Sequence, residues 1–174
     1  MTVLDRAKKI LPETLIDTTL LRVFGLVKVP LIGFVRPRVL HVSAESMSML
    51  IPLTRRSRNH LKSMYMGALM IGADVAAGYY AAKLIIEKRY KIDFVFRTAS
   101  ARFLKRPLGD VVFSCAQGGD IERLVEAAQQ SGERVEVKLK IIATVPSISD
   151  EVVADMDMVL SLKRRKPKGT VVAG

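Results

Sequence analysis

The chain has almost nothing from which to build a metal centre or a disulfide. Its single cysteine, Cys115, cannot form an internal bridge, and with His41 and His60 as the only histidines a structural zinc site is not expected. Cys115 sits in an apolar strand pattern, where a thiol reads as a small core residue and suits a reducing cytoplasm, the expected location. Acid is also scarce: 28 Lys and Arg face 17 Asp and Glu, a net charge of +11. That excess favours an anionic partner, with nucleic acid, an acidic membrane face and a phosphate-bearing ligand as the classes to weigh. Nucleic acid is set aside, because the chain shows no helix-turn-helix, no zinc pattern and no interleaving of basic with aromatic residues. The opening MTVLDRAKKILPE lacks the unbroken apolar core of a signal peptide.

What the chain does have is one long apolar stretch, residues 59–88, NHLKSMYMGALMIGADVAAGYYAAKLIIEK. From Met64 to Ile86 the spacing predicts a helix that is apolar or small on almost every side, hence buried. Gly67, Gly72 and Gly78 would each cost about 1 kcal/mol relative to alanine inside it. Such a cost is accepted where another backbone comes close, so a sheet is expected to wrap the helix. The run approaches the roughly 20 residues of a membrane span, but Asp74 lies at its centre and Lys62 and Lys83 flank it, so no span is expected. Asp74 has no basic residue within eight positions on either side. An unpaired Asp is almost never fully buried, so this carboxylate bonds a tyrosine or backbone, meets water at an interface, or does chemistry.

Asn59, then Tyr65-Met66-Gly67, then Ala73-Asp74 and Gly78 resemble the central motif of hotdog-fold thioesterases of the phenylacetic-acid-degradation type. In that family an Asn, a His-Gly-Gly turn and an acidic residue on the long helix follow one another at this spacing. FLKRPLGDVVFSCA, residues 103–116, is similar to the family's strand–turn–strand pattern. The likeness spans about residues 36–165 and is nearest to an uncharacterised branch with a degenerate turn. Here Tyr65 stands at the histidine position and Met66 at the first glycine. The resemblance implies an α+β hotdog fold, an acyl-CoA or related thioester as substrate with CoA leaving, no other cofactor, and a site shared across a homodimer or a dimer of dimers.

At 174 residues the chain is one domain by length. A helical extension (1–35), a core domain (36–165) and a basic tail (166–174) divide it. Residues 1–11 predict a short helix, and Pro12 opens a second with Leu15, Ile16, Thr19, Leu20, Val23 and Phe24 on one face. The extension reads as a lid and linker packed on the domain in preference to a membrane-surface anchor, though it is compatible with peripheral membrane contact. Strands are expected at about 38–44, 46–53, 92–104 and 110–116, with a basic loop, Thr54–Lys62, before the long helix. Asp120 is expected to cap a further helix ending at Ser131-Gly132. Two more strands follow, one alternating Val135, Val137, Leu139 and Ile141, the other setting Val152 to Leu162 against Asp155, Asp157, Ser161 and Lys163. KRRKPK, residues 163–168, closes the fold.

Thioester cleavage needs a nucleophile or activated water and donors for the oxyanion. A helix beginning near Tyr65–Gly67 offers free backbone N–H groups, so the Gly67 amide is the candidate oxyanion donor. Asp74, seven residues on, lies about 10 Å along the axis, too far to share one carbonyl within a chain. Two antiparallel helices across a dimer axis would set Asp74 opposite the other copy's Gly67 and Asn59. There Asp74 is general base or nucleophile, Asn59 positions water or the carbonyl, and Tyr65 and Met66 contact substrate. Arg55, Arg58, Lys62, Arg97, Arg102 and Lys105 are candidate contacts for CoA phosphates, on charge and position alone. A non-catalytic acyl-CoA or fatty-acyl binding dimer is the alternative, since the His-Gly-Gly turn is altered.

Overall fold

The computed structural model describes residues 12–165. The helix expected at 1–11 and the tail at 166–174 lie outside the described residues. Two helices come first, α1 (Glu13–Lys28) and α2 (Pro30–Val35), followed by the hairpin β1 (Arg38–Val42) and β2 (Met47–Ile51). The long helix α3 (Met66–Glu87) leads to β3 (Ile92–Phe103) and β4 (Val111–Cys115). Helix α4 (Gly118–Ser131), β5 (Val135–Val145) and β6 (Ser149–Arg164) complete the chain. All six strands form one antiparallel sheet in the order β1-β2-β4-β5-β6-β3. The architecture is the α+β one expected; the ends of β1 to β4 fall at or within two residues inside the expected limits, while β5 runs on to Val145 and β6 begins at Ser149, longer than the alternation alone marked.

Alternation along the strands puts one apolar row on the face that holds α3. Met47, Met49, Ile51, Val111, Phe113, Leu139, Ile141, Met156 and Leu160 are all buried there. Fully burying side chains of this size is worth about 1.5–3 kcal/mol each. Gly72 is the helix glycine on which the sheet presses hardest: a Cβ built on it would run into the Phe113 ring. Gly67 faces the ring of Tyr65, and Gly78 has only ordinary contact with Phe94 and Phe96. Of the three glycines from which a close approach was expected, the sheet presses only on Gly72, and there with a side-chain ring in place of a backbone. By length and composition α3 could cross a membrane, yet here it is the core helix, with Ala73, Ala76, Ala77 and Ala81 fully enclosed.

Three details differ from the sequence reading. The packed face of α1 is Ile16, Asp17, Thr18, Leu21 and Gly25, while Leu15, Leu20, Val23 and Phe24 stay 42–53% exposed. Polar anchors set this rotation: Asp17 meets Lys83 (3.0 Å), and the Val39 N–H donates to Thr18 Oγ1 (2.9 Å). Close packing on α2 reinforces it, since a Cβ on Gly25 would lie 2.5 Å from the Gly33 nitrogen. Helix α4 starts at Gly118, before Asp120, because Gly118 tucks under the β1–β2 turn and donates its N–H to the Glu45 carbonyl (2.8 Å). Asp120 instead accepts from Gln117 and pairs with Arg123. Ser161, expected on the wet face of its strand, is fully buried because it accepts from Arg134 (2.9 Å) and donates to Glu136 (3.0 Å).

Candidate functional site

The chain reaches the start of α3 through a knot of short hydrogen bonds. Ser57, buried, accepts from the Thr54 N–H through Oγ and donates to the Pro52 carbonyl, while its own carbonyl takes the Tyr65 N–H (2.8 Å). The Asn59 carboxamide oxygen accepts from the N–H groups of Leu61 (2.9 Å) and Ser63 (3.2 Å), and its Nδ2 donates to Ser63 Oγ (3.1 Å). This side chain holds a five-residue turn. The Met64 N–H donates to the Pro107 carbonyl (2.9 Å), which moors the turn to the loop before β4. Sequence reasoning passed over Ser57, inside the stretch read as a basic loop, and Ser63, the residue just after it.

Helix α3 opens at Met66 with Tyr65 at the N-cap, and no side chain caps it. The amide of Gly67 therefore belongs to the first turn, whose N–H groups have no partner within the helix. Tyr65 and Met66 are exposed, and the Tyr65 ring lies over Gly67, where an added Cβ would be 2.4 Å from it.

Two turns further along, Asp74 lines a cavity of about 1050 Å³ between α1, α3 and β3. Its walls are apolar: Leu20, Val23, Phe24 and Val27 from α1, Gly78 and Ala82 from α3, Phe94 and Phe96 from β3. That volume is at the upper end of the roughly 300–1,000 Å³ of small-molecule sites. Small residues on α3 leave the space, and the apolar side of α1 that does not pack roofs it. Asp74 has no hydrogen bond or ion pair among the described residues, and burial pushes its carboxyl pKa above the ordinary carboxylate range. The tyrosine on this face, Tyr79, is engaged elsewhere, donating to Asp17 Oδ1 (2.8 Å). Burial first, and then this bond to Asp17, raise the Tyr79 hydroxyl pKa far above its usual value.

Asp17, Tyr79 and Lys83 make a polar cluster on the cavity wall that the sequence reading missed. Asp17 is 4% exposed and holds both partners at once. The available signal was an acid next to the apolar Leu15-Ile16 pair of α1, together with Tyr and Lys four apart on α3.

The candidate phosphate contacts divide into two sets. Arg97, Arg102 and Lys105 each pair with a carboxylate, those of Glu136, Asp155 and Glu151. Arg55, Arg58 and Lys62 are exposed and have no side-chain partner among the described residues. These three stand in the loop that delivers α3. His41 and His60 are exposed, and Cys115 is buried, which pushes its thiol pKa up. Among the described residues no cluster of His, Cys, Asp and Glu could hold a metal ion.

Residues 18–172 match the family model described as a domain of unknown function, DUF4442. No curated protein matches the chain. Among solved structures, a thioesterase candidate from Shewanella oneidensis superposes with a TM-score of 0.70 at 16% identity, covering 83% of this chain and 96% of that one. A protein with unknown function from Chlorobaculum tepidum gives 0.72 at 12% identity, covering 85% and 94%. A thioesterase from Haemophilus influenzae gives 0.64 at 9% identity, covering 87% and 92%. At these identities the likeness is one of fold. The chain belongs to the DUF4442 family and has the hotdog fold.

Proposed function

We propose that the protein hydrolyses an acyl-CoA or closely related thioester. The observation that carries this reading is an unpartnered carboxylate, Asp74, at an apolar cavity large enough for an acyl chain, on a thioesterase-type fold. Asp74 in its ionised form takes a proton from water as the water oxygen attacks the thioester carbon, or attacks that carbon itself. The carbonyl oxygen gathers charge and takes the Gly67 N–H; the carbon–sulfur bond then breaks, and CoA leaves as the thiol after protonation. Arg55, Arg58 and Lys62 receive its phosphates.

Gly67 and Asp74 lie too far apart on one helix to serve the same carbonyl, so the site is composed from two copies. The sheet supports that pairing. Its β1 edge is short and has its Val39 N–H taken by Thr18, whereas β3 is a twelve-residue edge strand with exposed Val95 and Phe103. A long open edge needs a cover, and a second β3 is the natural one. Light scattering is expected to report a dimer or a dimer of dimers; a monomer at micromolar concentration would sink the composite site.

A non-catalytic acyl-CoA binding dimer is the second reading, favoured by the Tyr65 ring lying over Gly67 at the proposed carbonyl position. A panel of acyl-CoAs with a free-thiol readout separates the two. Thiol release above the uncatalysed rate supports hydrolysis; saturable binding with no release supports the carrier.

A further inference from the structure

Among the described residues, one hairpin leaves a contiguous run of apolar side chains exposed. Where α1 meets α2, Leu26 and Val27 are each 69% exposed, Leu31 is 65% and Phe34 51%. These residues are held out by a rigid joint, because Gly25 and Gly33 bring the two helix backbones into contact behind them. A joint this tight cannot fold its tip inward to cover it.

Beyond Asp17, near the start of α1, the charge of the hairpin has one sign. From residue 18 to residue 58 the sequence has Glu45 as its only acid. Arg22 donates from Nε to the Pro37 carbonyl (3.1 Å), which holds its guanidinium near those of Arg36 and Arg38. Partial burial first, then the two neighbouring cations, lower the Arg22 pKa from its ordinary value. Neither Arg36 nor Arg38 has a side-chain partner among the described residues. On the other side, the Arg56 guanidinium sits 5.5 Å above the ring of Phe34, joining the basic loop to the same tip. Three neighbouring guanidinium groups with no carboxylate paired to them suit a phosphate, and the exposed apolar side chains on the same hairpin suit a nonaqueous partner. One surface supplies both, the headgroup and acyl layers of an anionic bilayer.

We propose that the α1–α2 hairpin docks on an acidic phospholipid membrane, its Leu26–Leu31 tip in the acyl boundary and Arg22, Arg36 and Arg38 on headgroup phosphates. The cavity continues to that tip: Val27 and Val29 both line it and reach the surface. An acyl chain leaving the bilayer would enter along the hairpin and pass toward Asp74. The sequence pattern alone favoured a packed lid; the structure makes the same segment both lid and contact surface. This inference does not rest on hydrolysis, since vesicle binding is read without turnover and the two proposals fail separately.

The test is flotation of the full chain with phosphatidylcholine vesicles containing about one third phosphatidylglycerol, against phosphatidylcholine alone. Wild type is expected to float with the anionic vesicles and to be released by salt. L26E/L31E, two exposed positions outside the cavity wall, is expected to weaken binding at least about tenfold with its melting temperature unchanged. R36E/R38E is expected to do the same through the headgroup contact. Three results would overturn the proposal: wild type that stays in solution, L26E/L31E that binds as wild type does, or L26E/L31E that lowers the oligomeric state. The last would make the hairpin an interface between copies of the chain.

Discussion

Helix α3 presents two sides that share a sequence character and differ in everything else. Toward the core, Gly72 meets the Phe113 ring, and Ala73, Ala76 and Ala77 are fully buried. Toward α1, Asp74, Gly78 and Ala82 line the large cavity, and Tyr79 and Lys83 hold the α1 roof through Asp17. Small residues on the first side let the Phe113 ring of the sheet approach; on the second they leave room for a ligand. Composition cannot separate these uses, because the same alanine either touches a wall or bounds a void. The position of the acids does separate them. Asp17 is buried and fully paired, whereas Asp74 is half-buried at the cavity and unpaired, which is why the proposed reaction is placed on it.

Removing the carboxylate is the sharpest way to break the comparison. Asp74→Asn is expected to lower thioester hydrolysis about 10²–10⁴-fold, read as thiol release. Its fold should survive, and the sign of the pH effect follows from the raised pKa. Below the ordinary carboxylate range both folded and unfolded chains carry the proton, and burial of Asp74 costs nothing. As pH rises, the unfolded chain ionises first and wild type loses stability until the folded carboxylate ionises too. The asparagine variant is therefore expected to match wild type in acid and to exceed it by about 1 kcal/mol near neutrality. Activity of wild type should rise with pH across that same shifted range. A variant destabilised at neutral pH would make Asp74 structural.

Asp17→Ala attacks the other acid. It strands the Lys83 ammonium and the Tyr79 hydroxyl on the cavity wall, so a loss of about 3 kcal/mol is expected, read from the urea midpoint. Hydrolysis should fall only as far as the roof loosens. Equal catalytic loss in Asp17→Ala and Asp74→Asn would erase the distinction drawn between them.

The glycines give the smallest effects, of opposite sign on the two sides. Gly72→Ala drives a methyl into the Phe113 ring and is expected to cost about 1–3 kcal/mol for overpacking, less the gain in helix propensity. Gly78→Ala meets Phe94 and Phe96 at an ordinary 3.4 Å and should stabilise by about 0.5–1 kcal/mol. Thermal melts of the pair would show whether the α1 side has the room assigned to it.

Most of the fold was legible because it rests on local periods. The alternation from Val135 to Ile141 and from Val152 to Leu162 marked two core strands, and the all-round apolar run from Met64 to Ile86 marked the central helix. Asp74 stood out for the same reason, as one ionisable group where the pattern admits none. The apolar stripe assigned to α1 was real but misread, since it roofs a cavity and the packed face lies one step around the helix. Asn59 was legible as a residue to watch, while its bonds to Leu61 and Ser63 depend on a turn that spacing does not reveal.

By itself the sequence determined the elements, their order and the isolation of one acid in an apolar helix, since these follow from near-neighbour spacing and composition. Only the tertiary structure decided what each acid meets. Asp17 finds Tyr79 and Lys83 at separations of 62 and 66 residues, and Arg22 gathers Arg36 and Arg38 across the hairpin. Such pairings are set by how α1 rotates against α3, and that rotation is fixed by backbone contact at Gly25 and Gly33 together with a buried ion pair. No local period encodes either one.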